Sequence, residues 1–262
     1  MIYHNDVIKE MKFLTQSEIR LKILSELNKN PNNVRGLVKD THITYSSISS
    51  NIGKLEKENY IRKIKNKYHV NPMTKVYFKT LMDFKNSVEM INDYNSFWNQ
   101  HNINQLSINA IKRITDLKNA ELIETTPIDI YKTHNTIKKQ LINSHNVRAI
   151  FPYIHPEYPK IINTILLRGG TIELILPQNI FKEFIYRINT SLRKEGLKTG
   201  KLKFYKFRNE LNLYLTICNK NMSLGLFKTD GSFDQNRILV SGNYNSYKWA
   251  CDLFEHVKTQ VI

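Results

Sequence analysis

Hydroxyl and cationic side chains concentrate between positions 44 and 67, where their spacing suits contact with nucleic acid. On a helix of 3.6 residues per turn they lie opposite an apolar stripe formed by Ile48, Ile52 and Leu55. Small hydroxyls can approach base edges in the major groove, and lysine and arginine can neutralise backbone phosphates. The candidate DNA-binding residues are Thr44, Tyr45, Ser46, Ser47, Ser49, Ser50, Lys54, Lys57, Arg62, Lys63, Lys65 and Lys67. This set predicts double-stranded DNA as a binding partner.

These side chains require a helix and a hairpin to position them, and the surrounding pattern predicts both. A capping box, with Thr15 as N-cap and Glu18 three residues later, precedes a first amphipathic helix. The elements predicted after it are a short helix at 34–38, a tight connection at 41–43, a helix capped at Thr44, and strands at 60–64 and 67–70 joined by Lys65 and Asn66. This order is typical of a winged helix-turn-helix, whose third helix enters the major groove. We therefore predict a winged helix-turn-helix DNA-binding domain over residues 1–72.

The charge balance favours a polyanionic partner. The 262-residue chain has 39 Lys and Arg against 23 Asp and Glu, a formal net charge of +16. Residues 1–75 carry fourteen of the cations and seven of the acids, and residues 59–75 contain no acid. Two alternatives stay open at this level. The winged helix could dock a protein, with the charge only solvating its surface, or it could bind RNA.

Residues 73–104 have the pattern of one long helix that links the DNA-binding domain to the rest of the chain. Apolar positions recur at alternating spacings of four and three, as in a coiled coil. The candidate dimerisation residues are Tyr77, Leu81, Phe84, Val88, Ile91, Asn95 and Trp98. Asn95 falls at a core position, where a buried Asn can set the register of two paired helices. This interpretation predicts a homodimer; the alternative is an ordinary amphipathic helix packed on its own chain.

The remaining residues, 105–262, predict a mixed α/β domain. Apolar strands at 147–151 and 171–177 flank a helix at 158–167 and a glycine turn, which is the pattern of a parallel α/β unit. The other predicted elements are helices at 108–119, 128–142, 181–193 and 246–257 and strands at 201–207, 211–218, 222–228 and 238–240. The predicted fold class is therefore α+β, with a winged helix-turn-helix, a connecting dimerisation helix and a C-terminal mixed α/β effector domain.

The C-terminal domain lacks the sequence motifs of common enzymes. It has no phosphate-binding glycine loop, dinucleotide fingerprint or serine nucleophile elbow, and its histidines do not show metal-ligand spacing. We therefore predict a protein that is not an enzyme, with no catalytic residue, no cofactor and no metal site. Residues that follow strand ends, where open α/β sheets bind ligands, predict a pocket for a small-molecule or protein effector. The candidate pocket residues are Tyr153, His155, Arg168 and Thr229.

Four segments spread over the chain carry a family resemblance. They are FLTQSEIRLKIL at 13–24, ISSNIGKLE at 48–56, FWNQHNI at 97–103 and WACDLFE at 249–255. In this order they resemble archaeal winged-helix transcription regulators whose C-terminal half is the methanogenesis-regulator (FilR-type) middle domain. The resemblance implies a sequence-specific DNA-binding regulator with a C-terminal signal-input domain.

The C-terminal domain is also similar to the phospholipase D-like effector domains of some archaeal sugar-responsive regulators. Catalytic phospholipase D enzymes need His-x-Lys followed by Asp, whereas His256-Val257-Lys258 has no Asp at that spacing. This resemblance implies a phospholipase D-like fold without the catalytic motif. The alternative is a phosphodiesterase-like hydrolase fused to a DNA-binding module.

Cysteine content and hydropathy predict the compartment. Cys218 and Cys251 are too few for a disulfide framework, and no apolar run approaches the roughly 18 residues that span a membrane. Residues 1–6 do not show the pattern of a secretory leader. We therefore expect a cytoplasmic protein without a membrane partner.

Overall fold

The computed structural model describes residues 5–208 and 210–261. The chain divides into two units, Met1–Asn86 and Ser87–Ile262. Residues 1–4, part of the stretch behind the prediction against secretion, lie outside the described residues. In the part of the chain that the structure describes, no helix is both long and apolar enough to cross a membrane.

The N-terminal unit consists of short amphipathic helices followed by a β-hairpin. Its elements are α1 (Asn5–Thr15), α2 (Glu18–Lys29), α3 (Val34–Thr41), α4 (Tyr45–Lys57), β1 (Ile61–Ile64), β2 (Lys67–Val70) and the start of α5 (Pro72–Asp93). The order α2, α3, α4 and hairpin is that of the predicted winged helix-turn-helix. The first helix, α1, has no counterpart among the predicted elements.

A shared core holds these helices together. Ile23 and Leu24 of α2, Leu37 of α3, and Ile48 and Leu55 of α4 are fully buried. Because the apolar residues of each helix recur at helical spacing, each presents one face to the core and leaves the other to solvent. This packing determines which side of α4 is available to a partner.

The prediction of an N-cap at Thr15 is wrong. α1 continues through Thr15, whose hydroxyl donates to the Met11 carbonyl at 2.8 Å. The N-cap of α2 is instead Ser17, whose Oγ accepts the backbone N–H of Arg20 at 3.3 Å. Leu14 is buried in the core, and this tertiary contact keeps the chain helical past the predicted start of α2.

The connecting helix is shorter than predicted. α5 ends at Asp93, and a separate helix, α6 (Asn95–Gln100), follows after Tyr94. The Tyr94 hydroxyl donates to the Ala120 carbonyl, and its ring packs against the core of the C-terminal unit. These contacts interrupt the helix that periodicity alone extends to residue 104.

The C-terminal unit has a mixed β-sheet with helices on both faces. After α6 its elements are α7 (Ile108–Lys112), a 3₁₀ turn (Ile114–Leu117), β3 (Glu121–Glu124), α8 (Lys132–Ile142), β4 (Asn146–Ile150), α9 (Tyr158–Leu167), β5 (Thr171–Pro177), α10 (Gln178–Tyr186), α11 (Thr190–Lys198), β6 (Leu202–Phe207), β7 (Leu213–Cys218), β8 (Asn221–Leu226), β9 (Arg237–Ser241) and α12 (Tyr244–Lys258). Among the described residues the strand order is β3-β9-β8-β7-β4-β5-β6. β4, β5 and β6 run parallel, and β7 pairs antiparallel with both β4 and β8.

Strand β7 lies at the centre of this sheet and is buried along its whole length. Leu213 and Leu215 face a core that includes Trp249 of α12, whereas Tyr214 faces a second core that includes Ile161 of α9. This alternation follows from the two-residue period of a strand. Helices therefore cover both faces of the sheet, which explains why its central strands are apolar throughout.

The predicted parallel unit is present as β4, α9 and β5. The chain turns between α9 and β5 at Gly169, whose φ of +77° favours glycine. The next residue, Gly170, passes so close to the chain that a Cβ there would lie 2.4 Å from the His145 carbonyl oxygen. Both glycines are thus required by the geometry of the turn.

Two helices predicted in the C-terminal unit differ from those observed. The stretch predicted as one helix at 108–119 forms α7 and the 3₁₀ turn, and strand β3 follows them. The stretch predicted at 181–193 divides between α10 and α11. The Asn189 side chain accepts backbone N–H groups from Ser191 and Leu192 and so starts a new helix.

Candidate nucleic-acid interface and ligand cavity

The outer face of α4 carries the hydroxyls and lysines predicted to contact DNA. Its core-facing residues Ile48, Ile52 and Leu55 are at most 2% exposed. Of the predicted DNA-binding residues in α4 and at its N-cap, Ser47 is half-buried and the others are exposed. The exposed residues are Thr44, Tyr45, Ser46, Ser49, Ser50, Lys54 and Lys57. Thr44 occupies the predicted N-cap position, but its hydroxyl donates to the Ser47 hydroxyl at 2.9 Å rather than capping the backbone.

The β1–β2 hairpin, residues 61–70, is called the wing. Ile61 pairs with Val70 and both are buried, so the base of the wing is anchored in the core. The four predicted wing cations are all exposed: Arg62, Lys63, Lys65 and Lys67. The turn contains Lys65 in a left-handed conformation with a φ of 54°. This conformation allows a tight turn, so that β2 pairs antiparallel with β1.

The cations of α4 and the wing have no acidic partner among the side chains that the structure describes. Between the side chains described at 7–208 and 210–261, no salt bridge within 4.0 Å involves Lys54, Lys57 or the four wing cations. Lys63 instead places its Nζ 5.6 Å from the centroid of the Tyr68 ring. Such cations remain available for phosphate contacts.

The predicted dimerisation residues fall into two groups. Tyr77, Phe84, Val88 and Ile91 lie on α5 and are 38–66% exposed, with Phe84 the most exposed. Leu81, also on α5, is half-buried against the core of the N-terminal unit.

Asn95 and Trp98 do not continue the α5 stripe, because they belong to α6. The Asn95 side chain is exposed and accepts the Asn99 amide at 2.6 Å. Trp98 packs against the core of the C-terminal unit. Asn95 and Trp98 therefore lie on a different helix from the rest of the predicted stripe, and Trp98 follows the alternative of packing on its own chain.

A cavity of about 720 Å³ lies between α8, the segment after β4 and the segment before β9. Its wall includes an aromatic cluster in which the rings of Tyr153 and Phe233 have centroids 4.8 Å apart. The residues that line the cavity are Ile130, Tyr131, Thr133, His134, Asn135, Ile137, Tyr153, Ile154, His155, Glu157, Tyr158, Phe233, Gln235, Asn236 and Ile238. We call this the effector cavity, after the effector pocket that the sequence predicts in this domain.

Two of the four predicted pocket residues meet in the effector cavity. Tyr153 and His155 line it, whereas Arg168 and Thr229 do not. Arg168 is exposed and donates to the Ile142 carbonyl at 2.9 Å. Thr229 is also exposed, and its backbone N–H donates to the Gln100 carbonyl at 3.3 Å. The structure therefore brings Tyr153 and His155 together and places Arg168 and Thr229 outside the lining of this cavity.

Two histidines and a glutamate form a polar cluster on the cavity wall. The rings of His134 and His155 are stacked with centroids 4.0 Å apart, and His134 Nε2 lies 2.7 Å from Glu157 Oε2. Lys138 donates to Glu157 Oε1 at 2.5 Å. Hydrogen bonds from Lys138 and then His134 lower the pKa of Glu157 to about 2. Burial, reinforced by the neighbouring His134, lowers the pKa of His155.

Sequence reasoning missed His134 and Glu157 as cavity residues. His134 lies on α8, and Glu157 follows twenty-three residues later in the segment before α9. The His-x-Glu spacing of His155 and Glu157, directly after a strand, is the signal that could have found the pair. Nothing in the local pattern indicates that α8 places His134 beside them.

A buried ion pair, separate from that half-buried cluster, connects the cavity wall to the segment after α6. His101 Nε2 lies 3.0 Å from Asp234 Oδ2, and their side chains are 0% and 2% exposed. The other ring nitrogen of His101 contacts the Phe97 carbonyl of α6. Asp234 stands between the cavity residues Phe233 and Gln235, so the wall and α6 share a polar contact.

The N-terminal unit is a winged helix-turn-helix whose cations have no acidic partner among the described residues, and the C-terminal unit is a mixed α/β fold with a cavity. Together they define a winged-helix regulatory protein. Residues 130–260, half of the chain, match the family model of the middle domain of methanogenesis regulatory protein FilR1. The chain therefore belongs to that family. Residues 17–63 match the model described as bacterial regulatory protein, arsR family. These matches confirm the predicted resemblance to archaeal winged-helix regulators with a FilR-type domain.

Similar proteins include both a regulator and structures of other kinds. Methanogenesis regulatory protein FilR1 of Methanothrix harundinacea (strain 6Ac) is 24% identical over 261 residues, covering 96% of this chain. This chain spans 57% of that relative's length. The archaeal chromatin protein TrmBL2, described as showing a novel mode of DNA binding, is 13% identical with a TM-score of 0.43, covering 98% of this chain and 99% of that one.

An O-methyltransferase family protein from Burkholderia thailandensis is 5% identical with a TM-score of 0.26, covering 79% of this chain and 65% of that one. Both TM-scores lie below 0.5, and neither likeness assigns a function to this chain. The comparisons give no support to the predicted phospholipase D-like fold of the C-terminal domain. What they support is a mixed α/β fold with helix-turn-helix elements at the N-terminus.

Proposed function

We propose that this protein is a sequence-specific, DNA-binding transcription regulator that works in the cytoplasm as a homodimer. In this proposal residues 1–72 bind DNA, residues 73–104 link and pair the subunits, and residues 105–262 sense a small-molecule or protein signal. The observation that carries it is the exposed hydroxyl and lysine face of α4 beside a wing whose cations are unpaired among the described residues.

The two halves of α4 suit two different tasks. Ser46 and Ser50 are short hydroxyls near its start, where a recognition helix contacts base edges. Lys54 and Lys57 lie in its last turns, where long cations can reach phosphates. The α4 surface can thus read sequence at one end and fix the register of the helix at the other.

The exposed apolar stripe on α5 supports the homodimer. Tyr77, Phe84, Val88 and Ile91 are separated by seven, four and three residues, which places them on one face of the helix. A dimeric winged helix reads two half-sites about one helical turn, or a multiple of it, apart. A second copy of α5 would cover these apolar side chains and hold two recognition helices at a defined separation.

The effector cavity supports signal sensing by the C-terminal unit. Its wall combines aromatic and aliphatic side chains with polar groups that converge on one cavity, as in small-molecule sites. The contact between Asp234 and His101 joins this wall to the segment that follows α6. A ligand that prefers one arrangement of the wall would bias the arrangement of that segment, which is how sensing could alter DNA affinity.

A binding titration on duplex DNA tests the proposal. We expect the purified protein to prefer its own upstream DNA over a random duplex by about 10³-fold or more, with an affinity that falls as salt rises. Fluorescence anisotropy at two salt concentrations measures both quantities. Salt-independent binding, or no binding, would contradict DNA recognition and favour a protein-docking role. Equal binding to both duplexes would contradict sequence specificity.

Substitutions within α4 should separate phosphate contacts from base contacts. We expect Lys54→Ala to weaken binding to every duplex and to lower the salt slope by about one. Ser46→Ala and Ser50→Ala should instead change the preference among duplexes, because they alter contacts to base edges. Anisotropy titrations on a panel of single-base operator variants measure both effects. An unchanged salt slope in Lys54→Ala would refute its assignment to a phosphate.

Introducing a charge on the α5 stripe should separate the subunits. We expect Phe84→Glu to convert a dimer into a monomer, since each subunit would bury a carboxylate against the apolar stripe of the other. Sedimentation equilibrium measures the mass. The matched control is Lys79→Glu, which is exposed and lies about 200° around the helix from Tyr77. A wild-type protein that is monomeric at all concentrations would refute the pairing.

A further inference from the structure

Three potential metal ligands converge on the wall of the effector cavity. His134, His155 and Glu157 each offer one ligand atom, and these atoms all lie within 4.8 Å of one another. We infer that these residues form a binding site for a divalent transition-metal ion of the zinc type, and that this ion is a signal to which the regulator responds. The second part of this inference rests on the proposed function, whereas the first part does not.

The chemistry of the three side chains selects the class of ion. Two imidazole nitrogens and one carboxylate oxygen suit zinc and its neighbours, whereas magnesium and calcium prefer oxygen ligands alone. Ligand distances of about 2.0–2.2 Å around a tetrahedral zinc ion place the ligand atoms roughly 3.4 Å apart. The ligand atoms of the cluster lie within 4.8 Å of one another, and the stacked rings of His134 and His155 would have to turn for both to point a nitrogen at one ion.

The contacts around the cluster orient its ligand atoms. Lys138 holds Oε1 of Glu157 at 2.5 Å, and so Oε2 is left on the side of His134. The backbone N–H of Glu157 donates to Nδ1 of His155 at 3.2 Å, which leaves the proton of the neutral ring on Nε2; coordination of an ion through Nδ1 would replace this hydrogen bond and keep that proton in place. Neighbours that fix the orientation of ligands are a regular feature of metal sites. An ion would replace the hydrogen bond between His134 Nε2 and Glu157 Oε2, with the Nε2 proton moving to Nδ1 or to solvent.

The position of the cluster gives the ion an open coordination site. Three protein ligands leave at least one position of a tetrahedral zinc ion for water or another ligand. All three residues line the effector cavity, so that position can be filled from the cavity. A purely structural zinc site has four protein ligands, whereas three ligands beside a cavity allow an ion to enter and leave.

A path of contacts runs from the cluster to α6. Thr133, which precedes His134 on α8, donates its hydroxyl to the Gln235 carbonyl at 2.7 Å. Gln235 follows Asp234, which is paired with the buried His101 next to α6. Drawing His134 toward His155 and Glu157 would therefore shift the anchor of the 233–236 segment. Through these contacts, binding of the ion can shift α6, the helix that follows α5 in the chain.

The binding step is tested on the tag-free full chain with Zn²⁺ and with Co²⁺ as a spectroscopic probe. Titration calorimetry should give one high-affinity Zn²⁺ per chain, and Co²⁺ should develop visible absorption bands that zinc displaces. His134→Ala and His155→Ala should each weaken binding by more than the roughly 10–100-fold that loss of an outer-shell partner causes. Glu157→Gln should weaken it as well, because the amide keeps the shape and removes the charge.

The matched control is His145→Ala, an exposed histidine outside the cluster. It should bind Zn²⁺ as the wild type does. Circular dichroism should show that every variant is folded, since the replaced side chains are partly exposed. Absence of one-to-one binding in the wild type, or equal affinity in the cluster variants and the control, would overturn the site.

The signalling step is tested by repeating the DNA titration with chelator and with Zn²⁺. We expect the affinity for the upstream duplex to change at least about five-fold on zinc addition, and not to change in His155→Ala. Zinc binding at the cluster with unchanged DNA affinity would overturn the signalling role. Zinc binding without any DNA binding, in either condition, would overturn the proposed function and leave the metal site in place.

Discussion

We expect DNA affinity to fall on the order of 10³-fold at about 0.1 M salt when the four wing cations become glutamine: Arg62, Lys63, Lys65 and Lys67. Each is exposed, and no acid of the described chain neutralises it. If each contacts one phosphate, removing all four should lower the salt slope by about 0.9 per phosphate. The salt slopes of the wild type and the variant, measured by anisotropy between about 50 and 200 mM salt, give the number of phosphates that the wing neutralises.

A matched variant distinguishes a specific interface from general electrostatic attraction. Replacing four exposed lysines of the C-terminal unit by glutamine lowers the net charge from +16 to +12, as the wing variant does. The control positions are Lys194, Lys198, Lys201 and Lys203. We expect this control to keep most of the salt slope, because the proposal gives these lysines no phosphate contact and each contacted phosphate contributes about 0.9 to the slope. Equal losses of affinity in both variants would refute the wing as a phosphate-binding element.

The second large effect is expected from the buried pair of His101 and Asp234. His101→Ala should lower the free energy of unfolding by about 3–5 kcal/mol, because it leaves the Asp234 carboxylate buried without its partner. Urea unfolding followed by circular dichroism measures this change. The C-terminal unit should account for the loss of stability, since both residues lie within it.

A double variant identifies the cause of that destabilisation. His101→Leu combined with Asp234→Leu removes both polar groups, and we expect it to be more stable than either single replacement. This non-additivity, obtained from a double-mutant cycle, isolates the interaction between the two side chains. A destabilisation below about 1 kcal/mol in His101→Ala would show that the pair does not stabilise the unit.

The wing cations can be identified from the sequence alone, whereas the pairing of His101 with Asp234 cannot. The α4 face and the wing follow from local periodicity and turn composition, since a helix or a two-residue hairpin is specified by residues close in sequence. The stripe of Ile48, Ile52 and Leu55 therefore predicts which side of α4 is exposed. The parallel β4–α9–β5 unit follows in the same way from its apolar strands and its glycine turn.

Local patterns give less information where a distant contact competes with propensity. Leu14 packs into the N-terminal core and shifts the cap of α2 from Thr15 to Ser17. Tyr94 bonds to the Ala120 carbonyl and ends a helix whose apolar spacing continues further. In both cases the local pattern predicts a helix where one exists, and tertiary packing moves the position at which that helix begins or ends.

By itself the sequence determined the order of α2, α3, α4 and the wing, the exposed face of α4 and the basic character of the wing, because these properties depend on neighbours along the chain. Only the tertiary structure decided which distant side chains meet. His134 joins His155 and Glu157 through the packing of α8 against α9, and His101 reaches Asp234 across 133 positions. Such contacts depend on how the sheet and its helices pack. The residues adjacent in sequence do not determine that packing.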